Sequence, residues 1–460
     1  MPSAPPVIAV IGAGFSGVMT ALHLLRQNAP AKVVLVERRS PIGLGAAYAT
    51  DDPAHRLNVR AGNMSAWPDR PDDFVNWLSG QNLALGPADF ATRSDYGRYL
   101  QSLLTALAEG PDAAGRLLIV PDEIMAIEPV GDGWTLTCAM GRTIAADAVV
   151  LALGNAPPCP PLAVTPTLAA SHAYVGDPWR WDVGDLPGDG QILLLGSGLT
   201  MVDAALTLNR LAPKRPLIAL SRRGLTPRQH QGAPPSPLPS PPAADLSPTR
   251  ALVWLRAAAD RHGWRTAIDA IRPVTQALWR GWTARQRAGF LRHARAYWDV
   301  HRHRLAPEVA QTVARMRADG RLRVLAGKLD RADLLPGGQV GAVWRPRGEV
   351  QTWRLEVDLV VNCTGPAADA GRATEPLVAA LTERGLIRAD PLRLGLDVDA
   401  DHRLRDLHGQ PHTTLFAVGP ITRGALWEIN AVPDIRVQAA QAAANVHRAL
   451  PPISRFSVHD

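Results

Sequence analysis

The sequence Val7-Ile8-Ala9-Val10-Ile11-Gly12-Ala13-Gly14-Phe15-Ser16-Gly17 joins an apolar segment to a glycine-rich turn. The first five residues are apolar and mostly β-branched, which is typical of a buried parallel strand. The glycines form a G-x-G-x-x-G pattern and are followed by helix-forming residues. In such a unit the glycines permit a tight turn, let a pyrophosphate approach the backbone, and let helix and strand pack closely. The segment predicts a dinucleotide site that includes Gly12, Gly14, Ser16 and Gly17.

A carboxylate lies at the distance that this motif requires. The apolar run Val33–Val36 ends at Glu37, which is 23 residues after Gly14. An acidic side chain at about this distance accepts hydrogen bonds from ribose hydroxyl groups. The glycine pattern alone is weak, but strand, helix and carboxylate together favour the dinucleotide site, with Glu37 on the ribose.

A second unit repeats the first. Ile192–Leu195 is followed by Gly196-Ser197-Gly198-Leu199-Thr200-Met201, and the step from Gly198 to Ser221 is again 23 residues. Here the acid is replaced by Ser221-Arg222-Arg223, and arginine in this place accommodates the 2′-phosphate of NADP. The pattern predicts a nicotinamide-cofactor site that prefers NADPH to NADH. The alternative is that the arginines only end a surface strand. The residues assigned to this site are Gly196, Gly198, Thr200, Arg222 and Arg223.

The totals set limits on the class of protein. A chain of 460 residues is too long for one ordinary core. No apolar run is long enough to span a bilayer, and the N-terminus has no basic region of the kind that opens a signal peptide. We therefore expect a cytoplasmic protein without membrane contact. The cysteines Cys138, Cys159 and Cys363 are widely spaced, which argues against a disulfide scaffold, a standard zinc site and a dithiol redox centre. No metal site is predicted.

The order of segments predicts an α/β protein with two Rossmann-like dinucleotide-binding domains, the second inserted in the first. The expected boundaries are 1–158 and 358–460 for the first domain and 159–357 for the second. A helical insertion is expected at about 250–320. Residues 226–249 are rich in proline and serine, which predicts an extended linker or flap.

The helical insertion is strongly basic. Between Arg250 and Gly320 there are 14 Arg, no Lys and 5 acidic residues, a balance of +9 against +7 for the whole chain. Interleaved arginine and tryptophan residues are compatible with nucleic-acid binding. At helical spacing, however, tryptophans are more often part of a core. The expectation is a core, with no nucleic-acid partner.

Several further motifs resemble one bacterial family of FAD/NAD(P)-binding flavoproteins, which includes a FAD-dependent urate hydroxylase and an aspartate N-monooxygenase. The resemblance covers essentially the whole chain. It is specific for the family but not for the substrate. The segments that carry it are 43–48, 57–59, 64–65, 198–203, 297–304, 362–365 and 418–424.

This resemblance implies an external flavoprotein monooxygenase with FAD in the first domain and NAD(P)H in the second. NAD(P)H reduces the flavin, O2 reacts with the reduced ring, and one oxygen atom is transferred to a small substrate. Because the cofactor carries this chemistry, no catalytic side chain is assigned. Beyond the two glycine turns and Glu37, the residues assigned to cofactors are Arg38, Gly45, Asn58, Met64, Gly154, Gly365 and Gly419.

The substrate is expected to be small and polar or anionic, and Arg60, Asn63, Arg423 and Asn430 are assigned to it. Urate hydroxylation is the preferred hypothesis. The alternatives are N-hydroxylation of an amino acid such as aspartate, a flavin oxidase that makes peroxide without a substrate, and a non-enzymatic FAD-dependent sensor. The histidines His230, His293, His301 and His303 are expected to be structural or exposed.

Overall fold

The computed structural model describes residues 4–27, 31–181, 183–184, 186, 188–232, 240–367 and 375–450. The strands are β1 Val7–Ile11, β2 Lys32–Val36, β3 Leu117–Val120, β4 Ile124–Val130, β5 Gly133–Cys138, β6 Thr143–Ala146, β7 Ala148–Leu151, β8 Tyr174–Val175, β9 Ile192–Leu195, β10 Leu217–Ser221, β11 Leu322–Leu334, β12 Val340–Pro346, β13 Trp353–Val357, β14 Leu359–Asn362, β15 Arg403–Arg405 and β16 Pro411–Ala417.

The α-helices are α1 Phe15–Arg26, α2 Gly45–Tyr48, α3 Asp73–Gly80, α4 Arg93–Glu109, α5 Pro166–Ala169, α6 Leu199–Leu211, α7 Pro248–His262, α8 Trp264–Ile271, α9 Thr275–Gly281, α10 Ala284–His293, α11 Arg295–Arg302, α12 Pro307–Ala318, α13 Pro376–Glu383 and α14 Val432–Ala449. Residues 233–239, which belong to the proline-rich segment 226–249 that predicted a flap, lie outside the described residues.

The first sheet has the strand order β15-β16-β7-β1-β2-β3. All its neighbours pair in parallel except β15 with β16. Strands β1 and β7 are almost entirely buried, because α1, α4 and α14 cover one face of the sheet and the antiparallel strands β4–β6 with α13 cover the other. The late strand β16 pairs with β7, so the C-terminal part of the chain completes the first sheet. Helix α14 then packs against α1.

The second sheet has the order β13-β12-β11-β10-β9-β14-β8. Strands β8, β14, β9, β10 and the first half of β11 are parallel, and β12 and β13 extend the sheet as antiparallel strands. The position of β14 corrects the expected boundary at 357/358. Val360 pairs with Leu193, so residues 359–362 belong to the second sheet, and the chain returns to the first sheet only afterwards.

Helices α7 to α12 lie between β10 and β11, where the helical insertion was expected. Their tryptophans pack inward. Trp279 is 1% exposed and stacks on Trp427 with ring centroids 4.8 Å apart. Trp282, Trp298 and Phe290 pack around this pair. The core assignment is confirmed for Trp279, and the aromatic cluster attaches the insertion to the C-terminal part of the first domain.

Within the described residues, no helix combines the length and the apolarity that crossing a bilayer would need.

Candidate active site

The first glycine turn is sterically closed to side chains. Gly12 has φ +96°, and a Cβ there would lie 2.5 Å from the carbonyl oxygen of Ala152. A Cβ on Gly17 would lie 1.8 Å from the carbonyl oxygen of Gly12. The atoms in the way belong to the backbone, so relieving these contacts would require a displacement of the main chain. The turn therefore requires glycine at both positions, as the sequence predicts.

The turn leaves the N-terminus of α1 free of a capping side chain, because the N-cap residue is Gly14. Free N–H groups and the helix dipole at such an end favour a phosphate. Glu37 lies beside it: its Oε2 accepts from the backbone N–H of Ala13 at 2.7 Å, and its Oε1 accepts from that of Arg39 at 3.0 Å. A cleft of about 110 Å³ adjoins Gly14, Glu37 and Gly154. These features fit the pyrophosphate and ribose of a dinucleotide.

The second turn repeats this geometry. Gly196 has φ +120°, and a Cβ there would lie 2.3 Å from the carbonyl oxygen of Cys363. Gly198 is the N-cap of α6 and has open space around it. The hydroxyl group of Ser197 lies 2.7 Å from that of Ser221. This contact joins the turn to the end of the next strand, as the contact between Ala13 and Glu37 does in the first unit. The 23-residue spacing therefore corresponds to a structural repeat.

Arg222 and Arg223 follow the end of β10 and face the helical insertion. Arg222 is exposed. The guanidinium group of Arg223 lies 5.0 Å from the ring centroid of Tyr297 on α11, and it donates to the carbonyl oxygen of Arg292 at 3.3 Å. Hydrogen bonds from Arg223 and Arg347 lower the pKa of the Tyr297 phenol. This cationic cluster is suited to a phosphate group.

The other residues assigned to cofactors are spread around these turns. Gly45 and Gly154 have positive φ angles and lie near the first turn. Arg38 adjoins the same cleft but is already paired with Glu123 and Glu375, at 2.5 and 2.6 Å.

The remaining four residues lie closer to the centre of the molecule. Asn58, the buried Met64 and Gly365 line a central cavity. Gly419 lies against Ser16, whose Oγ would be 2.2 Å from a Cβ at residue 419. Gly419 also donates its N–H to Gln438 at 2.8 Å.

The central cavity has a volume of about 470 Å³ and lies between the first-domain segment 46–48 and the second glycine turn. One wall is the first-domain segment with Tyr48 and Asn58, and another is the second turn with Gly198 and Thr200. Helix α11 and the segment 423–432 close it. Of the two glycine turns only the second borders this cavity, and the first domain reaches it through the segments 46–48 and 57–59.

Helix α11 contributes a polar stripe to this cavity. Arg295, Asp299 and His303 recur every four residues and all line it. The Nε of Arg295 lies 3.4 Å from a carboxylate oxygen of Asp299. Burial raises the pKa of Asp299, although His303 and Arg295 act in the opposite direction. The segment 297–304 was recognised in the sequence but this stripe was not, although the i, i+4, i+8 spacing of the three side chains is a signal for it.

Glu428 faces the stripe from the opposite segment. It is 5% exposed and has φ +68°, a backbone conformation that is strained for a residue other than glycine. Its carboxylate accepts from Trp298 Nε1 at 2.9 Å and pairs with Arg302 Nε at 3.1 Å and His303 Nε2 at 3.6 Å. Burial alone would raise the pKa of Glu428, but the charges of His303 and Arg302 outweigh it and lower the pKa well below its usual range. Glu428 is therefore ionised.

Arg423 contributes a positive charge to the cavity. Its guanidinium group lies 5.7 Å from the ring of Trp427, and its buried Nε has no hydrogen-bond acceptor. Burial and the charge of Arg295 lower its pKa from the ordinary arginine value, although Asp299, Glu428 and Asp390 act in the opposite direction. Among the described residues no carboxylate forms an ion pair with it. Asn430 is exposed and also lines the cavity.

The assignment of Arg60 and Asn63 to the substrate does not agree with this geometry. Arg60 is 7% exposed and donates to the carbonyl oxygens of Ala88, Gln231 and Gly232, so its hydrogen-bonding groups are already used. Asn63 is exposed outside the cavity. Both belong to the loop that contains Asn58, but their side chains point elsewhere.

Of the four histidines, His303 alone lines the cavity. His230 binds the carbonyl oxygen of Asn58 at 3.1 Å, and burial lowers its pKa to about 3. His301 bonds to the carbonyl oxygen of Tyr297 on its own helix at 2.7 Å, and His293 is exposed.

An ionic network joins the two domains at the edge of the cavity. Arg93 of α4 pairs with Asp203 of α6 at 2.6 Å, and His55 bonds to Thr207 at 2.9 Å. Asp52 accepts from the same threonine at 2.8 Å. A buried charge that loses its partner destabilises the protein strongly. This network therefore favours the one orientation of α6 against the first domain in which all these pairs are formed. The sequence contained no signal for these contacts, since they join residues more than 100 positions apart.

Comparison with known proteins agrees with this geometry. Residues 9–156 match a family model described as FAD-NAD(P)-binding. Among curated proteins, a nitrosuccinic acid synthase of Aspergillus oryzae is 25% identical over 231 residues, which is 44% of this chain and 35% of the relative. The chain spans about a third of the length of the curated relatives it matches.

Two solved structures illustrate the similarity of the fold. An ornithine N-hydroxylase of Kutzneria sp. 744, with reduced FAD, NADP+ and L-ornithine, has a TM-score of 0.66 at 16% identity, covering 97% of this chain and 99% of that one. L-lysine 6-monooxygenase of Pseudomonas syringae has a TM-score of 0.64 at 17% identity, covering 97% and 100%. The predicted α/β architecture is thereby confirmed. The chain carries an FAD-NAD(P)-binding domain in its first third and has, over nearly its whole length, the fold of these flavin-dependent monooxygenases.

Proposed function

We propose that this protein is an FAD-dependent, NADPH-consuming monooxygenase that N-hydroxylates a small amino acid. The observation that carries the proposal is Arg423, which lines the central cavity and forms no ion pair with a carboxylate of the described residues. A buried charge without a partner is costly, so a ligand carboxylate is the natural counterion.

We assign one cofactor to each of the two glycine turns. Gly12, Gly14, Gly17 and Glu37 would hold the pyrophosphate and ribose of FAD, and the second turn with Arg222 and Arg223 would hold NADPH. When bound, FAD takes electrons from NADPH and activates O2. The chain itself has to position the substrate, screen the site from water and manage protons.

The cavity charges suit a zwitterionic substrate. Arg423 and Arg295 both line the cavity and would bind a carboxylate, while Asp299 would accept from an ammonium group. The comparisons support the same choice. The solved neighbours are named for amine substrates, and the name nitrosuccinic acid denotes a dicarboxylic acid with a nitrogen–oxygen group. This supports N-hydroxylation, the alternative in the sequence analysis, better than the hydroxylation of urate.

The test is NADPH oxidation by the purified flavoprotein with a panel that contains aspartate, glutamate, ornithine, lysine and urate, with peroxide measured in parallel. A substrate raises NADPH consumption and lowers the peroxide formed per NADPH. We expect an acidic amino acid to do both. Stimulation by urate alone would contradict the proposal. If every NADPH yields peroxide whatever is added, the protein is an oxidase.

Cofactor preference gives a separate prediction for Arg222→Ala. Loss of a charge-assisted contact to the 2′-phosphate costs about 1.5–3 kcal/mol, or roughly 10–100-fold in affinity. We expect the KM for NADPH to rise by that factor and the KM for NADH to change little. Arg261→Ala, an exposed arginine of α7 away from the cavity, is the matched control. Equal effects of Arg222→Ala on both cofactors would exclude a 2′-phosphate contact.

A further inference from the structure

His303, which directly follows the last residue of α11, has no role yet in the proposed function. We propose that His303 is the proton acceptor that converts the substrate ammonium group into a reactive amine, and that Glu428 is the residue that positions it. The proposal rests on the proposed N-hydroxylation. It adds a role for two residues that form a carboxylate–imidazole pair at the cavity wall.

The geometry of the pair supports these roles. His303 lines the cavity, and its Nε2 faces Oε1 of Glu428 at 3.6 Å. A carboxylate at Nε2 favours the tautomer with the proton on that nitrogen, which leaves the lone pair on Nδ1 as the acceptor. Glu428 is itself held by Trp298 and Arg302. Its φ of +68° is a backbone conformation that is strained for a residue other than glycine and that strained positions at functional sites often adopt.

The chemistry requires such a group. At neutral pH an amino acid carries an ammonium group, which has no lone pair to form a nitrogen–oxygen bond. His303 takes one proton, and the freed lone pair forms the bond to one oxygen atom of O2. The second oxygen leaves as water and takes up the proton held by His303. The net reaction is R–NH3+ + O2 + NADPH → R–NHOH + NADP+ + H2O, with the two electrons supplied by NADPH.

The charges around His303 are mixed. Asp299 and Arg302 lie on α11 itself, Glu428 faces it from the C-terminal segment, and Arg423 and Arg295 line the same cavity. Asp299 is placed one turn before His303, where it would hold the ammonium group beside the imidazole. In this proposal Asp299 binds the ammonium group, Glu428 positions the imidazole and His303 accepts the proton.

The test compares the pH dependence of kcat/KM for hydroxylated product in the wild type, His303→Gln and Glu428→Gln. We expect the wild-type profile to rise with pH, because only the unprotonated base can take a proton from the ammonium group. His303→Gln should lose about 100-fold at neutral pH, within the usual contribution of a general base, and should lose this rise. Glu428→Gln should displace the rise, because the imidazole loses its anionic neighbour. His301→Gln, on the same helix but outside the cavity, should leave the profile unchanged.

Two further measurements separate this role from a structural one. FAD content and anaerobic flavin reduction by NADPH should stay near wild-type values in His303→Gln, and added imidazole should restore part of the activity of His303→Ala. An unchanged pH profile in His303→Gln, or an equal loss of flavin reduction, would overturn the role of His303. Failure of the wild type to hydroxylate any amino acid would overturn the proposed function itself. This outcome is seen with the wild-type protein alone, whereas the role of His303 is decided by comparing the variants with an active wild type.

Discussion

Gly17→Ala is expected to abolish FAD binding. The added Cβ would lie 1.8 Å from the carbonyl oxygen of Gly12, far inside contact distance, and the obstacle is backbone. To relieve it, α1 must move away from β1, and the N–H groups at the helix start then leave the position for a pyrophosphate. Overpacking of this kind costs about 1–3 kcal/mol in stability, but the larger effect is on the cofactor.

The measurement is flavin absorbance per chain after purification in the presence of excess FAD, with thermal unfolding recorded for the same samples. Gly289→Ala in α10 is the control, because a Cβ there meets nothing within 4 Å. A Gly17→Ala protein that unfolds at the wild-type temperature and contains a full complement of FAD would contradict the assignment of this turn.

Arg423→Gln is expected to raise the KM for the amino acid by roughly 10–100-fold, which corresponds to about 1.5–3 kcal/mol for a charge-assisted hydrogen bond. The reason is that Arg423 has no carboxylate partner among the described residues, so its charge is available to a ligand. Arg423→Lys should lose less, since it keeps the charge but not the planar group.

FAD content and the KM for NADPH should not change in these variants. Arg317→Gln, an exposed arginine of α12, is the matched control for loss of a positive charge. If Arg423→Gln and Arg317→Gln have the same small effect, the carboxylate of the substrate is bound elsewhere in the cavity.

The parts of the fold that local chemistry determines were predictable. Gly12 and Gly17 lie so close to neighbouring backbone that only glycine fits there. The 23-residue spacing to Glu37 and to Ser221 corresponds, in each unit, to a hydrogen bond between the turn and the end of the next strand. The sheet to which β14 belongs was not predictable. A short apolar strand has the same pattern in either of two buried parallel sheets, so its composition carries no information on its neighbours.

The substrate side chains were predicted less well, for a physical reason. Arg60 is in the expected loop, but a loop has no period from which the direction of a side chain follows, and its guanidinium group binds carbonyl oxygens instead. The stripe on α11 does have a period and could have been recognised. The φ of +68° at Glu428 is a consequence of packing between distant segments and leaves no mark in the sequence.

The most direct test of the central claim is mass spectrometry of the product formed from aspartate or glutamate under 18O2 with NADPH. The account predicts a hydroxylamine, or an N-oxidised product derived from it, that carries one 18O atom on nitrogen for each hydroxylation. It also predicts that this product depends on FAD and disappears in Arg423→Gln at substrate concentrations below the raised KM. An amino acid recovered unlabelled, while NADPH is oxidised and the 18O2 is reduced to labelled peroxide, would contradict N-hydroxylation of these substrates.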